Sequence, residues 1–170
     1  MTLIRPSTEA DIDEVAALSV RTWQAGYAGI VPAGYLASLD PGARAANIRT
    51  RLRTRGSRTL VAVDLEVLVG FATFGPYRLD DAETDETAGE LYAIYVSPDH
   101  WGRGTGRELL TAAKSGLRGY PVMRLWVLEA NTNARRFYER MGLTPDGTTQ
   151  TWTPRGTTVE LPELRYATAL

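Results

Sequence analysis

The sequence of 170 residues contains no cysteine and only one histidine, His100. The lack of cysteine excludes a disulfide scaffold, a cysteine-ligated zinc site and a thiol nucleophile. A single imidazole also excludes a multi-histidine metal site within one chain, so we expect no metal. The absence of disulfides is compatible with a reducing compartment, and we expect a cytoplasmic location.

A strong excess of either charge is also missing, because 19 basic residues face 20 acidic ones and the formal net charge is −1. This balance argues against a nucleic-acid partner held by bulk charge. No apolar run approaches the roughly 18 residues of a membrane span, and residues 1–5 do not resemble the start of a signal peptide. With 44% hydrophobic residues, the composition is that of a folded protein, and we expect one domain over residues 1–170.

The hydrophobic pattern predicts the element order β-α-α-β-β-β-α-β-α-β-β, which places the chain in the α/β or α+β class with a mixed sheet. Thr8 and Asp11 form a predicted capping box before the first helix. The second long helix is basic and is expected to end at Gly56. Other predicted elements are an acidic loop at 80–87, a strand at 90–96, a helix at 108–117 and a doubly covered strand at 122–128.

Glycines are concentrated in one segment, residues 100–107, which joins a predicted strand to a predicted helix. Such a loop directs several backbone N–H groups and a helix N-terminus at one point, which favours an anion such as phosphate. Two standard phosphate motifs do not match, because Arg107 stands where a dinucleotide fingerprint needs its third glycine and no P-loop lysine follows. A flexible turn that begins a helix is the alternative interpretation.

Further motifs flank this loop, at 91–98 (LYAIYVSP) and at 131–143 (NTNARRFYERMGL). Together the three segments resemble the GNAT superfamily of acetyl-CoA-dependent N-acetyltransferases. The resemblance is strongest over residues 89–145, and the remaining elements follow the order of that superfamily. It implies a mixed sheet of about seven strands, splayed between strands 4 and 5 and flanked by about four helices.

The resemblance implies that acetyl-CoA is the co-substrate, with its pyrophosphate on the glycine loop and its pantetheine arm along the fourth strand. Gly104 and Gly106 match the small positions of the family's loop, whereas Trp101 replaces the usual Gln or Arg. Asn131 matches a pantetheine-binding position, and it could equally cap a helix. The expected coenzyme-binding residues are Ile94, Tyr95, Val96, Arg103, Gly104, Thr105, Gly106, Arg107 and Asn131.

Tyr138 matches the position where the superfamily often has a general acid that protonates the leaving thiolate, and a core aromatic is the alternative. Glu90 is the candidate general base, because related enzymes often have a glutamate near this point. Strand alternation predicts that it shares a face with Ile94 and Val96. Its alternative role is a solvated carboxylate at the end of a strand. His100 is interpreted as a loop residue away from the transfer point.

The resemblance also places Trp23 and Tyr27 in the acceptor pocket, although both could pack in the core. Trp152 is expected to close that pocket or to form a dimer contact, and a homodimer is possible. The acidic loop could attract a cationic amine. The expected function is acetyl transfer to the primary amine of a small molecule, and the alternatives are a protein N-terminus or lysine as acceptor, or a non-catalytic acyl-CoA sensor.

Overall fold

The computed structural model describes residues 2–53, 57–79 and 83–170. These residues form a seven-stranded sheet with the strand order β1-β2-β3-β4-β5-β7-β6. The strands are β1 (Leu3–Pro6), β2 (Arg58–Asp64), β3 (Val67–Arg78), β4 (Thr84–Val96), β5 (Val122–Leu128), β6 (Thr144–Trp152) and β7 (Leu161–Ala169). The α-helices are α1 (Ile12–Gly26), α2 (Ala33–Ala37), α3 (Pro41–Leu52), α4 (Thr105–Gly116) and α5 (Thr132–Arg140).

The predicted element order is confirmed except for one additional short helix, α2, between the two helices expected before β2, so the described residues form five α-helices and not about four. The capping box of Thr8 and Asp11 precedes α1 as predicted. The acidic loop is shorter than predicted, because β4 already begins at Thr84. Glu90 therefore lies inside a strand and not at its end. The rest of that predicted loop, residues 80–82, and the predicted helix end at Gly56 lie outside the described residues.

One feature of the sheet creates the site, namely the short parallel contact between β4 and β5. These strands pair only at Gly89–Met123 and Glu90–Arg124. The other edge of β5 pairs with β7 along residues 122–128. Because the contact with β5 ends at Glu90, no strand of the described residues pairs with this edge of β4 over residues 91–96, which confirms the predicted splay and leaves backbone groups available to a ligand.

A β-bulge at Tyr92 reorients the end of β4. Leu91 pairs with Phe74, whereas Ala93 pairs with Thr73, so Tyr92 is the additional residue. Leu91, Ile94 and Val96 consequently all contact the same core, and Tyr95 contacts the core on the opposite face. The prediction that Glu90 shares a face with Ile94 and Val96 is wrong, because the bulge breaks the alternation on which it rested.

The main core lies between the sheet and helices α4 and α5, and α1 covers the other face of the sheet. Close packing of α4 on β3 requires glycine at position 116. A Cβ atom there would lie 2.6 Å from the Phe74 ring. At the other end of α4, a Cβ atom on Gly106 would lie 3.8 Å from the side chain of Val96, so the start of the helix is beside the unpaired end of β4.

Candidate active site

A cleft of about 1030 Å³ opens where β4 and β5 separate. Its walls are the free edge of β4, the glycine loop, the start of α4, one face of α5 and the end of α1. Of the residues predicted to bind the coenzyme, all but Thr105 line this cleft. The side chain of Thr105 is buried, so only its backbone N–H is available to a ligand.

The glycine loop exposes backbone donors at the N-terminus of α4. Gly102 and Gly104 have φ values of +75° and +92°, a left-handed region that side chains strongly disfavour. Gly104 is the N-cap residue and has no side chain to satisfy the first amides of the helix. The N–H groups of Thr105, Gly106 and Arg107 are therefore free to bind an external acceptor.

Basic side chains add positive charge to this end of the cleft. Arg103, Arg107, Arg136 and Arg140 all line it and are exposed. The positive end of the helix dipole and four guanidinium groups together suit a ligand with several negative charges. Arg135 does not contribute, because it donates to the Tyr166 hydroxyl and to the Glu129 carbonyl.

Trp101 contacts the free edge of β4 directly. Its indole Nε1 donates to the carbonyl oxygen of Val96 at 2.7 Å, while the ring remains half-exposed. The contact demonstrates that this carbonyl points into the cleft and can accept a hydrogen bond. A bound amide that used the same carbonyl would have to displace the indole.

Asn131 caps the N-terminus of α5, which is one of the two roles predicted for it from the sequence. Its Oδ1 accepts from the N–H of Ala134 at 3.1 Å, and the residue also lines the cleft. His100 lines the cleft too, and its Nδ1 is buried without a hydrogen-bond partner among the described residues. His100 is therefore partly exposed, and its position away from the transfer point stays a prediction.

Tyr138 lies on α5 at the inner end of the cleft. The side chain is buried, and its hydroxyl has no protein hydrogen-bond partner in the described part of the chain. Burial raises the pKa of Tyr138 well above the ordinary value of 10.0, and the nearby Tyr95 raises it further. The phenol therefore stays protonated at neutral pH and can act only as a hydrogen-bond or proton donor.

Glu90 is a buried carboxylate that forms an ion pair with the partly exposed Arg78. Only 2% of Glu90 is exposed, and its two carboxylate oxygens accept from the Arg78 guanidinium at 2.6 and 3.2 Å. The backbone N–H of Arg78 donates to the same carboxylate at 2.9 Å. Glu90 does not line the cleft. The reading of Glu90 as a solvated carboxylate is wrong, and the base role remains a prediction.

Aromatic side chains from four elements meet on the opposite side of the cleft, and we call them the aromatic cluster. Trp23 is at its centre, with ring centroids 4.7 Å from Tyr27 and 5.7 Å from Trp152. The guanidinium of Arg44 lies over the Trp23 ring at 5.1 Å. The cluster comprises Trp23, Tyr27, Tyr35, Tyr95 and Trp152.

Trp23 and Tyr27 both pack in the cluster, and their role in binding the acceptor stays a prediction. Tyr27 lines the cleft, and Trp23 has a buried indole Nε1 without a partner among the described residues. Trp152 packs against Trp23 and Tyr35, which places the end of β6 against the other rings of the aromatic cluster. Asp85, which the sequence placed in the acidic loop, forms an ion pair with Arg124 at 3.7 Å and accepts a hydrogen bond from the backbone N–H of Thr87 at 2.8 Å.

Glu163 was not singled out from the sequence. It lies on β7, partly buried, and accepts from Nε2 of Gln150 at 2.6 Å. Burial raises the pKa of its carboxyl group, whereas Gln150 and Arg78 lower it. No local motif surrounds Glu163, and only the alternation of residues along β7 indicated which of its side chains share a face.

The described residues contain neither a candidate membrane-spanning helix nor a candidate metal-binding cluster. No helix there is long and apolar enough to cross a membrane. No group of three or more His, Cys, Asp or Glu side chains there is arranged to hold a metal ion.

The splayed strands, the glycine loop and the tyrosine at the inner end of the cleft together define an acetyltransferase of the GNAT type. The model of the acetyltransferase (GNAT) family matches residues 21–143, and the chain belongs to this family. The protein is therefore a GNAT N-acetyltransferase, an acyltransferase with acetyl-CoA as its co-substrate.

Named relatives agree with this assignment. The chain is 34% identical over 135 residues to the uncharacterized N-acetyltransferase YuaI of Bacillus subtilis, with 77% of this chain and 74% of the relative covered. It is 30% identical over 168 residues to the probable N-acetyltransferase Rv2775 of Mycobacterium tuberculosis, with coverage of 96% and 91%. The fold matches the PaiA N-acetyltransferase of Thermoplasma acidophilum, solved with coenzyme A, at a TM-score of 0.76, 19% identity and coverage of 100% and 99%.

Proposed function

We propose that the protein transfers the acetyl group of acetyl-CoA to the primary amine of a small molecule, by direct attack within a ternary complex. The observation that carries this proposal is the continuous cleft between β4 and β5. The cleft joins an anion-binding loop at one end to the Tyr138 hydroxyl and the aromatic cluster at the other. Donor and acceptor could thus meet beside a proton donor.

The residues of the cleft fit coenzyme A along its length. The free N–H groups after Gly104, with Arg103 and Arg107, would hold the diphosphate. The backbone of residues 94–96 would bond to the amides of the pantetheine arm in the manner of an added strand, and Asn131 would contact the same arm. Acetyl-CoA supplies the acyl group as a reactive thioester.

The side chains at the inner end of the cleft suit the proton transfers of this reaction. An alkyl ammonium group has a pKa near 10.4, so it must lose a proton before it can attack. A backbone N–H of β4 would stabilise the negative charge that develops on the acyl oxygen. Tyr138, which stays protonated, would donate its proton to the departing thiolate.

The acceptor side favours a small molecule. The walls are large aromatic rings in mutual contact, and a second hollow of about 600 Å³ lies beside them at the connection between α1 and α2. A volume of this order suits a metabolite-sized ligand. Residues of this hollow, Val31 and Leu36, also pack with the cluster. A homodimer stays a prediction.

The test is a thiol-release assay with acetyl-CoA and a panel of monoamines, amino acids, polyamines, aminoglycosides and short peptides. We expect release of free thiol that depends on a small amine. Release of thiol with peptides alone would mean that the acceptor is a protein N-terminus or lysine and not a small molecule. Binding of acetyl-CoA without release for any amine would make the chain an acyl-CoA sensor and would overturn the proposal.

A further inference from the structure

On the acceptor face of the sheet, the carboxylate of Glu163 is not neutralised by an ion pair within the described ranges. Glu163 accepts a hydrogen bond from the neutral amide of Gln150, and no cation forms an ion pair with it among the residues that the structure describes. Every arginine on this part of the sheet already has an acidic partner. The pairs are Arg78–Glu90 at 2.6 Å, Arg124–Asp85 at 3.7 Å and Arg165–Asp146 at 2.7 Å.

The register of the sheet places this carboxylate beside the aromatic cluster. Glu163 pairs with Leu128 of β5 on one side and with Gln150 of β6 on the other. Leu161, two residues earlier and therefore on the same face, packs with Leu128 and the rings of the cluster. The Glu163 side chain thus lies on the sheet face that forms the acceptor wall.

Tyr27 connects Glu163 to the expected point of transfer. Burial raises the pKa of the Tyr27 hydroxyl well above its ordinary value, and Tyr95, Tyr138 and Glu163 each raise it further. Tyr27 lines the same cleft as Tyr138, and it packs in the hydrophobic cluster that includes Leu161 and Leu128, the cross-strand partner of Glu163. An acceptor nitrogen that contacted Glu163 would therefore be close to the proton donor of the reaction.

Glu90 is poorly suited to the same task. Both of its oxygens are bonded to Arg78, and its negative charge is neutralised there. Arg78, Glu90 and Glu163 together carry one net negative charge on a partly buried surface. Such a surface attracts a cation more strongly than an exposed carboxylate does, because the surrounding dielectric constant is lower.

We propose that Glu163 binds the ammonium group of the acceptor and accepts its proton, so that the acceptor is a cationic primary amine whose apolar part packs on the aromatic cluster. This inference rests on the proposed function and adds the acceptor class and the base. One N–H bond of the ammonium breaks and one O–H bond forms on Glu163. The nitrogen keeps the electron pair, and both groups become neutral. Burial makes this transfer easier, because it disfavours both charged forms.

The first experiment measures equilibrium binding by tryptophan fluorescence, with coenzyme A present. The cationic probe is 2-phenylethylamine, and its neutral analogue is 2-phenylethanol. We expect the wild type to bind the amine at least about tenfold more tightly than the alcohol. Glu163→Gln should remove this preference, Glu163→Asp should retain part of it, and Glu160→Gln, which changes an exposed neighbouring carboxylate, should leave it intact. A wild type without this preference, or a Gln variant that keeps it, would overturn the inference.

The pH dependence provides a readout that a structural role of Glu163 would not change. Protonation of Glu163 at lower pH removes its charge, so the wild type should lose affinity for the amine as the pH falls, whereas Glu163→Gln should not. Gln150 donates a hydrogen bond to Glu163, and the charged or titratable groups that act on it electrostatically are Arg78, Glu90 and Tyr27. Arg78 and Tyr27 keep their protons between about pH 5 and about pH 8, and all four are common to both proteins. The difference between the two profiles thus reports Glu163, and identical profiles would contradict its role.

Turnover separates this inference from the proposed function. With 2-phenylethylamine as acceptor, we expect Glu163→Gln to lower kcat/KM for the amine at least about tenfold, while KM for acetyl-CoA stays unchanged. Normal turnover in this variant would contradict the inference and leave the proposed function standing. Charge-dependent amine binding without any turnover would contradict the proposed function and leave the binding role of Glu163 standing.

Discussion

The two ends of the cleft are built in different ways. The coenzyme end uses backbone groups, glycines and exposed arginines, most of them from residues 94–107. The acceptor end that we propose would use side chains from α1, α2, β4, β6 and β7, which are separated by as many as 140 positions, from Trp23 to Glu163. The first end therefore depends on the local path of the chain, and the second depends on the packed tertiary structure.

This difference explains why the family is easier to identify than the substrate. A backbone donor remains when its side chain changes, so the anion-binding loop tolerates Trp101 where Gln or Arg is usual. We expect the acceptor end to tolerate substitutions less well, because its walls consist of individual aromatic or charged side chains. The following predictions test whether the two ends differ in this way.

The largest effect is expected from Arg78→Met, which removes one partner of the ion pair at the acceptor end. Glu90 would remain buried without its cation, and we expect a loss of about 3 kcal/mol in the free energy of unfolding. Urea unfolding at neutral pH provides the measurement. Arg118→Met, at an exposed position of similar side-chain size, should change stability by less than about 0.5 kcal/mol. A loss of stability as small in Arg78→Met as in Arg118→Met would mean that the ion pair contributes little and would leave Glu90 available as a base.

The second prediction concerns the group where the two ends meet. Tyr138→Phe removes only the hydroxyl, so we expect kcat to fall at least about tenfold, equivalent to roughly 1.4 kcal/mol, with little change in acetyl-CoA affinity. Steady-state kinetics measures kcat, and calorimetry measures the affinity for acetyl-CoA. Tyr120→Phe, which removes the hydroxyl of another tyrosine at the edge of the core, serves as the matched control. Unchanged kcat in Tyr138→Phe would limit this residue to a packing role.

The third prediction probes the backbone at the coenzyme end. Gly104→Ala forces a side chain into a conformation with φ of +92°, which costs about 1 kcal/mol of stability and shifts the amides that follow. We expect acetyl-CoA affinity to fall several-fold, as measured by calorimetry. Gly34→Ala in α2 is the control, because its φ is not positive and no atom lies within 4 Å of the added methyl group. Equal effects of the two substitutions would show that the loop conformation is not needed for binding.

Local signals predicted most of the fold and the coenzyme end from the sequence. The capping box at Thr8 and Asp11, the apolar strand at 122–128 and the glycine loop depend on neighbouring residues only, and all three are present. The motif around Tyr138 was local as well. Each of these features is set by the propensity and spacing of a few consecutive residues, which a single sequence displays directly.

The acceptor end could not be predicted in the same way. No glycine or proline at Tyr92 indicates the bulge in the sequence, because the bulge depends on how β3 pairs with β4. The ion pair of Glu90 with Arg78 joins residues on two strands, and the position of Glu163 depends on the register of β5, β6 and β7. Register is a tertiary property, so the sequence offered these residues only as isolated charges.

The smallest effect is expected from a single arginine at the coenzyme end. Arg103→Gln removes one exposed positive charge, whereas the backbone donors and the other arginines of the cleft remain. We expect acetyl-CoA to bind about two- to fivefold more weakly, and the dependence of its Kd on salt concentration to become less steep. Arg118→Gln, which lies outside the cleft, is the control for the loss of charge. A loss of affinity of about tenfold or more would contradict the comparison, because the coenzyme end would then depend on one side chain as strongly as we expect the acceptor end to depend on Glu163.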